Sequence, residues 1–357
     1  MQEVRSIHSP AINPRRTMEF GLYSLGDHLP LPATQQRISP QQRIQEMIEL
    51  AQLAEEAGFD FFQVGESHQE YFVSQSHLTI LSAIAQATES IKLSSAVTTI
   101  SVLDPVRVFE DAATIDLLSG GRMELIAGRA SRVGSFELLG YNNADYNALF
   151  EEKFELLLKL NKSERIDWQG VYRPPLKDAL VLPRPANKHL PIWRGLGNSM
   201  SSAIRAGELG APVFQATLAG AVMTYANRIK RYRQAAEEAG YDVDQLAVGS
   251  GSWLFVRDNT QRAYQQIYPY INESFRRTNG SDFPKRALAQ GKSVKSVVNI
   301  GEPSLLIEKL LYQHEAFNHQ RFSAQIDFAG LPFDEVKRTL YILAEDIIPT
   351  VKKHIKS

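Results

Sequence analysis

Short apolar runs alternate with amphipathic stretches along most of this chain, and that rhythm limits the fold more than any other feature. The clearest unit is Asp111–Arg129. It reads as a helix halted by Gly120-Gly121, an apolar strand from Met123 to Ala127, and an arginine just past the strand. Strands are predicted at Glu19–Leu25, Asp60–Val64, Lys92–Thr99, Met123–Ala127, Pro191–Arg194, Pro212–Gln215, Leu246–Val256 and Phe322–Phe328. Helices are predicted between them. Gln41–Ala57 sets Ile44, Met47, Ile48, Ala51 and Ala54 on one stripe before Gly58. Gln75–Thr88, a helix opened by Asp104-Pro105, Asp145–Leu160, Ser199–Leu209, Ala219–Ala239, a helix after Asp258 and Phe333–Lys353 follow.

Strands separated by helices pair in parallel through right-handed crossovers. A count near eight predicts a single (β/α)8 TIM barrel, and the missing early glycine-rich dinucleotide turn argues against an open doubly wound sheet. Two stretches break the rhythm. Tyr172–Leu190 is a proline-rich excursion, and the polar, irregular Ser274–Asn299 predicts an insertion at about 274–299 in the C-terminal third. Residues 18–357 form the expected barrel domain. Residues 1–17 form a polar extension, disordered or draped over the domain, without the hydrophobic core of a secretory signal.

Composition removes several function classes. The net charge of -1 supplies no basic field for nucleic acid, and no partner of that kind is expected. No apolar run approaches the roughly 20 residues that span a bilayer, so no membrane partner is expected either. The absence of cysteine excludes disulfides, thiolate metal sites and cysteine nucleophiles, and fits a cytoplasmic setting. The eight histidines never take the spacing of a zinc or iron centre, so no metal site is predicted.

The candidate site residues follow from position, because side chains at the carboxyl ends of barrel strands face the reactive mouth. Arg129 ends the fourth strand, where a forked guanidinium suits a phosphate; an ion pair with Glu124 or Glu137 is the plain alternative. Gly197, Asn198, Ser199 and Ser202 lie in the strand-to-helix turn of Arg194–Ala203. Free N–H groups at the helix start there attract an anion, and an ordinary capped helix is the alternative. Neighbouring strands lie about 5 Å apart, so Arg129 and the Ser199 helix start can grip one phosphate. His68, directly after the second strand, is a candidate acid–base group or a histidine bonded to backbone or Glu70. His28 faces the same choice. Val97 and Thr98 end the third strand, as core or as a wall for a flat ring. The Gly197–Ser201 turn lacks the closing glycine of a hydrolase nucleophile elbow.

Together these pieces resemble the bacterial luciferase-like family of flavin-dependent monooxygenases, from Phe20 to Ile348. The carriers are Ala57-Gly-Phe-Asp60, Gly65-Glu66-Ser-His68, Asp104-Pro-Val-Arg107, Leu117-Leu-Ser-Gly-Gly-Arg122 with Gly128-Arg129, and Gln325-Ile-Asp-Phe-Ala-Gly-Leu-Pro332. The resemblance implies a (β/α)8 barrel with an insertion near its seventh unit and a cofactor that is FMN or a deazaflavin relative. It assigns the FMN phosphate to Arg129, Asn198, Ser199 and Ser202, and a non-proline cis peptide behind the flavin ring to Val97-Thr98. It implies a two-component monooxygenase that takes reduced FMN from a separate flavin reductase and uses oxygen on a small organic substrate. A homodimer is implied too.

One departure matters. Luciferase-type members carry two adjacent histidines where this chain has Ser67-His68, so His68 alone remains as the catalytic candidate. That leaves two alternatives: a deazaflavin-dependent reductase or dehydrogenase, and a non-catalytic flavin-binding subunit. A deazaflavin's long anionic tail would call on further basic residues, for which Arg122, Arg132 and Arg173 are available.

Overall fold

The computed structural model describes residues 18–130 and 134–356. The extension 1–17 and Arg132 lie outside the described residues. Eight parallel strands close on themselves: β1 (Glu19–Ser24), β2 (Phe61–Val64), β3 (Lys92–Ser95), β4 (Met123–Gly128), β5 (Ile192–Leu196), β6 (Val213–Ala216), β7 (Val248–Val256) and β8 (Arg321–Gln325). Phe20 of β1 pairs with Phe322 of β8 on one side, and Leu22 with Phe62 of β2 on the other, which seals the barrel.

Side chains alternate across each strand. Phe20, Leu22, Phe62, Val64, Leu93 and Leu125 pack with helix residues such as Met47, Leu50 and Ile84 in the main core. The opposite set fills the barrel: Ile126, Trp193 and Phe214 form a separate apolar cluster inside it. Burying a side chain of this size is worth about 1.5–3 kcal/mol. The amino-terminal end is plugged by charge. Arg321, 2% exposed, ion-pairs with Glu19 and Glu124; Glu124 also accepts from Trp193 Nε1 at 3.0 Å, and Lys92 reaches Glu19 at 2.6 Å.

The helices begin where their caps dictate. Ser39 accepts from the Gln42 N–H before α1 (Pro40–Glu56), and Asp104 accepts from the Val106 N–H before α3 (Pro105–Leu118), each with proline in the first turn. Between them lies α2 (His77–Ala87), which starts two residues later than Gln75.

Several sequence expectations need correction. The third strand is not continuous: β3 ends at Ser95 and a two-residue strand, Thr98–Thr99, resumes beyond a cis peptide. The proline-rich excursion carries an antiparallel hairpin, Arg165–Trp168 with Leu176–Leu180. The stretch 274–299 is irregular only in part, being helical at 274–279 and 285–290. Helix Thr260–Asn279 runs through Pro269 to stop at Gly280 (φ 72°), and Lys285–Gln290 adds a short helix. Only Ala263, Tyr264, Ile267 and Ile271 of the long helix are buried, so its remaining surface reads as polar loop. Asn299–Gly301 then pairs with the end of β7. Helix Pro303–Phe317 has no counterpart in the sequence reading, and the expected Phe333–Lys353 helix is divided by a π-turn at Leu343–Ile347.

Candidate active site

The carboxyl ends of β2 to β5 carry two linked groups of side chains. The first centres on Glu66, directly after β2. Its Oε1 accepts from His68 Nε2 at 2.6 Å and its Oε2 from the Thr99 N–H at 2.7 Å. His77 Nδ1 stands 3.7 Å from the same carboxylate, and its Nε2 meets Thr98 Oγ1 at 2.7 Å. Burial pushes the His77 imidazole down to about 4, against the pull of Glu66, so it is neutral at physiological pH. Burial alone would raise the Glu66 carboxyl, yet its bonds to His68 and Thr99 and its approach to His77 hold it below the ordinary range. His68 is therefore oriented by Glu66, not by Glu70. His28 is elsewhere: its Nε2 contacts the Ile38 carbonyl at 2.7 Å.

Behind this group a cis peptide joins Ala96 to Val97, one bond earlier than Val97-Thr98. Val97 sits against two glycines. A Cβ on Gly128 would fall 2.4 Å from Val97 Cγ2, and one on Gly195 3.1 Å from Val97 Cγ1. A Cβ on Gly65 would fall 2.4 Å from the Ala96 carbonyl oxygen. Gly65 and Gly128 have no room for a side chain and Gly195 is tight, which leaves backbone and Val97 as the floor of the mouth here.

The second group joins Arg129 to the turn after β5. Arg129 Nη1 donates to Ser202 Oγ at 3.1 Å, so the two anchors predicted to converge do meet. Ser199 caps helix Met200–Glu208, accepting from the Ser202 N–H at 3.2 Å; Gly197, Asn198 and Ser199 stay exposed at the rim. The Gly197 carbonyl accepts from Gln215 Nε2 and the Asn198 carbonyl from Arg228 Nη2, which fixes the turn.

The ionic partner of Arg129 is Glu151, at 2.8 Å, from helix Tyr146–Lys162; Glu124 belongs to the plug below. Arg194, fully buried, donates to the same carboxylate through Nη1 at 3.0 Å. Both guanidiniums lie over the Phe150 ring, at 3.8 and 4.6 Å. Two guanidiniums thus share one carboxylate, which the more exposed Arg205 also approaches at 4.0 Å, and the Nε–H groups of Arg129 and Arg194 have no acceptor among the described residues. Burial and the Arg194 charge bring the Arg129 pKa down to about 10, which leaves it cationic at neutral pH.

Sequence reasoning passed over Arg194, Glu151, His77 and Glu66 as site residues. Arg194 carried a usable signal: like Arg129, it is an arginine within one residue of a strand-end glycine. Glu151 carried none, being one acid among several on a helix. Of the basic residues available to a long anionic tail, Arg122 is bonded to the Ala85, Thr88, Ile91 and Ser119 carbonyls before β4, far from the mouth. Arg173 is held by Asp104 at 3.2 Å.

Solved structures share this architecture. Monooxygenase RslO1 from Streptomyces bottropensis superposes with a TM-score of 0.81, at 24% identity, over 93% of this chain and 99% of that one. The oxygenating constituent of 3,6-diketocamphane monooxygenase of Pseudomonas putida, solved with FMN, gives 0.74 at 18% identity, over 93% and 98%. The coenzyme F420 dependent tetrahydromethanopterin reductase of Methanopyrus kandleri gives 0.71 at 18%, over 94% and 100%. At these identities the likeness establishes the fold. Residues 18–320 match the luciferase-like monooxygenase family as a sequence family. The chain belongs to the luciferase-like monooxygenases, and is a flavin-dependent monooxygenase or oxidoreductase.

Proposed function

We propose that this protein is a two-component monooxygenase that binds reduced FMN and directs oxygen to a small organic substrate. The observation that carries the choice of FMN is the pair Arg129 and Arg194 sharing the single carboxylate of Glu151. Two cations against one anion leave a surplus positive charge beside Ser202 and the start of helix Met200–Glu208. A compact phosphate dianion suits that arrangement, and the free Nε–H groups of both arginines are donors in keeping with it. Arg122 and Arg173 are engaged elsewhere, which weighs against a deazaflavin with its long anionic tail.

FMN would be held at its phosphate by Arg129, Ser199, Ser202 and the Gly197-Asn198 turn, and at its ring against Val97 and Thr98. The bound cofactor supplies the electron transfer and oxygen chemistry. The protein's own residues orient and shield. Glu66 fixes the imidazole of His68 at 2.6 Å, so that its other nitrogen can hold or pass a proton at the mouth. Gly65, Gly128 and Gly195 let backbone and Val97 approach the ring plane closely. A separate flavin reductase as electron donor, a homodimer and a cytoplasmic setting complete the proposal.

The test is an equilibrium titration with oxidised FMN, reduced FMN and a deazaflavin, followed by oxygen uptake with reduced FMN and a substrate panel. Tighter binding of reduced FMN than of the deazaflavin is expected. Preference for the deazaflavin would overturn the cofactor reading; flavin binding without substrate-dependent oxygen uptake on any of the panel would favour a non-catalytic subunit.

A further inference from the structure

A cavity opens at the mouth on the side away from the phosphate cradle, between the turns after β6 and β8 and the helices of the 274–299 stretch. Its volume is 720 Å³. Trp253 and Phe328 stack at 5.4 Å (interplanar 4°) on one wall, and Phe275 meets Phe283 edge-on at 5.2 Å on another. Ile271 and Leu218 extend the apolar lining. One carboxyl group, Asp27, reaches this cavity, from the turn after β1.

Asp27 is set in a fixed frame. Its Oδ1 accepts from Gln325 Nε2 at 2.9 Å and its Oδ2 from the Ala329 N–H at 2.8 Å. A second acid, Asp327, lies beside it, but the cation available to both is already taken. Arg43 ion-pairs with Asp327, which also accepts from Ser24 Oγ, while Arg43 Nε reaches only the Asp27 carbonyl oxygen. Arg43 also approaches Glu46, at 3.5 Å. Asp327 Oδ1 has no donor among the described residues. One guanidinium thus neutralises Asp327, and a second buried negative charge on Asp27 would stand without a counterion.

We propose that Asp27 is the polar anchor of the substrate pocket: a carboxylic acid that donates its O–H to a carbonyl oxygen of a neutral, otherwise apolar substrate packed against Trp253 and Phe328. The proposal rests on the mouth being the active site. It adds the substrate class and the residue that selects it. A neutral acid in a largely apolar pocket is an effective donor to a neutral acceptor; the cation in the lining is Lys295. Burial first, and then the Asp327 charge, push the Asp27 carboxyl up to about 7, against Ala329, Arg43 and Gln325. Tyr23 on β1 also faces the pair and stays protonated, its phenol raised by burial and by both acids. His28 turns its ring to the Ile38 carbonyl.

The experiment compares two probes of one shape: 4-tert-butylcyclohexanone, and the alkene in which a methylene replaces its carbonyl oxygen. Binding is followed by tryptophan fluorescence at about pH 5.5 and about pH 8.5, on either side of the Asp27 titration. The wild-type protein is expected to prefer the ketone by about 5- to 10-fold at the lower pH, the value of one hydrogen bond, and to lose the preference at the higher. Asp27→Asn, which keeps a donor that does not titrate, is expected to hold the preference at both. Asp27→Ala is expected to lose it at both; should that variant fail to fold, the other two samples decide. Three results would overturn the proposal: no ketone preference at the lower pH, an unchanged preference at the higher, or a preference kept by Asp27→Ala. Flavin affinity in the same samples reports separately on Arg129. Its absence in the wild type would strike the functional reading, whereas flavin binding without a ketone preference strikes Asp27 alone.

Discussion

Replacing Arg129 by alanine should weaken FMN binding while leaving riboflavin binding almost untouched. Arg129, Arg194 and Arg205 face Glu151, and Arg205 also pairs with Glu208, so the local charge is +3 − 2 = +1 and removing Arg129 takes that sum to zero. The side chain is 12% exposed, so its field at a bound phosphate is only partly screened. A charge-assisted hydrogen bond is worth about 1.5–3 kcal/mol, or about a 10- to 150-fold change in affinity. The substitution also removes a guanidinium 3.8 Å from the Phe150 ring and leaves Ser202 Oγ without its donor. Such effects on local packing act on any ligand of the mouth. Riboflavin, which has the ring system but no phosphate, measures them. The ratio of FMN to riboflavin affinity isolates the phosphate contribution, and fluorescence titration of both ligands against both proteins gives it. Equal losses for the two ligands would show that Arg129 supports the fold and not the phosphate. An unchanged FMN affinity would refute the reasoning outright.

Three further outcomes are expected. Ser202→Ala removes a neutral partner of the same phosphate and should cost FMN about 0.5–1.5 kcal/mol, about 2- to 12-fold, in the same titration; a loss larger than that of Arg129→Ala would invert the ranking. Arg321→Met leaves Glu124 without its ion pair at the base of the barrel, while Glu19 keeps Lys92, and should lower unfolding stability by about 3–5 kcal/mol, read from urea midpoints at neutral pH; a change below about 1 kcal/mol would show the plug to be dispensable. Asp27 holds its proton to about 7 when folded against 3.8 for the ordinary group, so its contribution is fully present below pH 3.8 and is lost as pH rises to about 7. The melting temperature of Asp27→Asn should accordingly fall less than that of wild type between those limits, and parallel curves would contradict it.

The barrel was legible because its strands sit between helices with clear stripes and caps. Ser39-Pro40 and Asp104-Pro105 mark helix starts with side chains that bond their own backbone, a local effect that sequence reports well. The 274–299 stretch was misread because the buried stripe of its long helix, Ala263, Tyr264, Ile267 and Ile271, ends before residue 274 and leaves the last turns without an apolar signal. The cis peptide at Ala96-Val97 was placed one bond late, since nothing in Ser-Ser-Ala-Val-Thr distinguishes the two peptides. At the site, the approach of Arg129 to Ser202 was legible because one follows a strand and the other lies in the first turn of a helix at the mouth. Glu151 and Asp327 were not, because their roles come from the tertiary approach of Arg194 and Arg43, separated from them in sequence by 43 and 284 residues. Charges that matter through a shared partner leave no local trace.

The most direct test of the account is a crystal structure of the protein with FMN. The phosphate is expected within hydrogen-bonding distance of Arg129 and Ser202 Oγ, with the ring against Val97. A phosphate bound elsewhere, with Arg129 still closed on Glu151, would contradict the central claim.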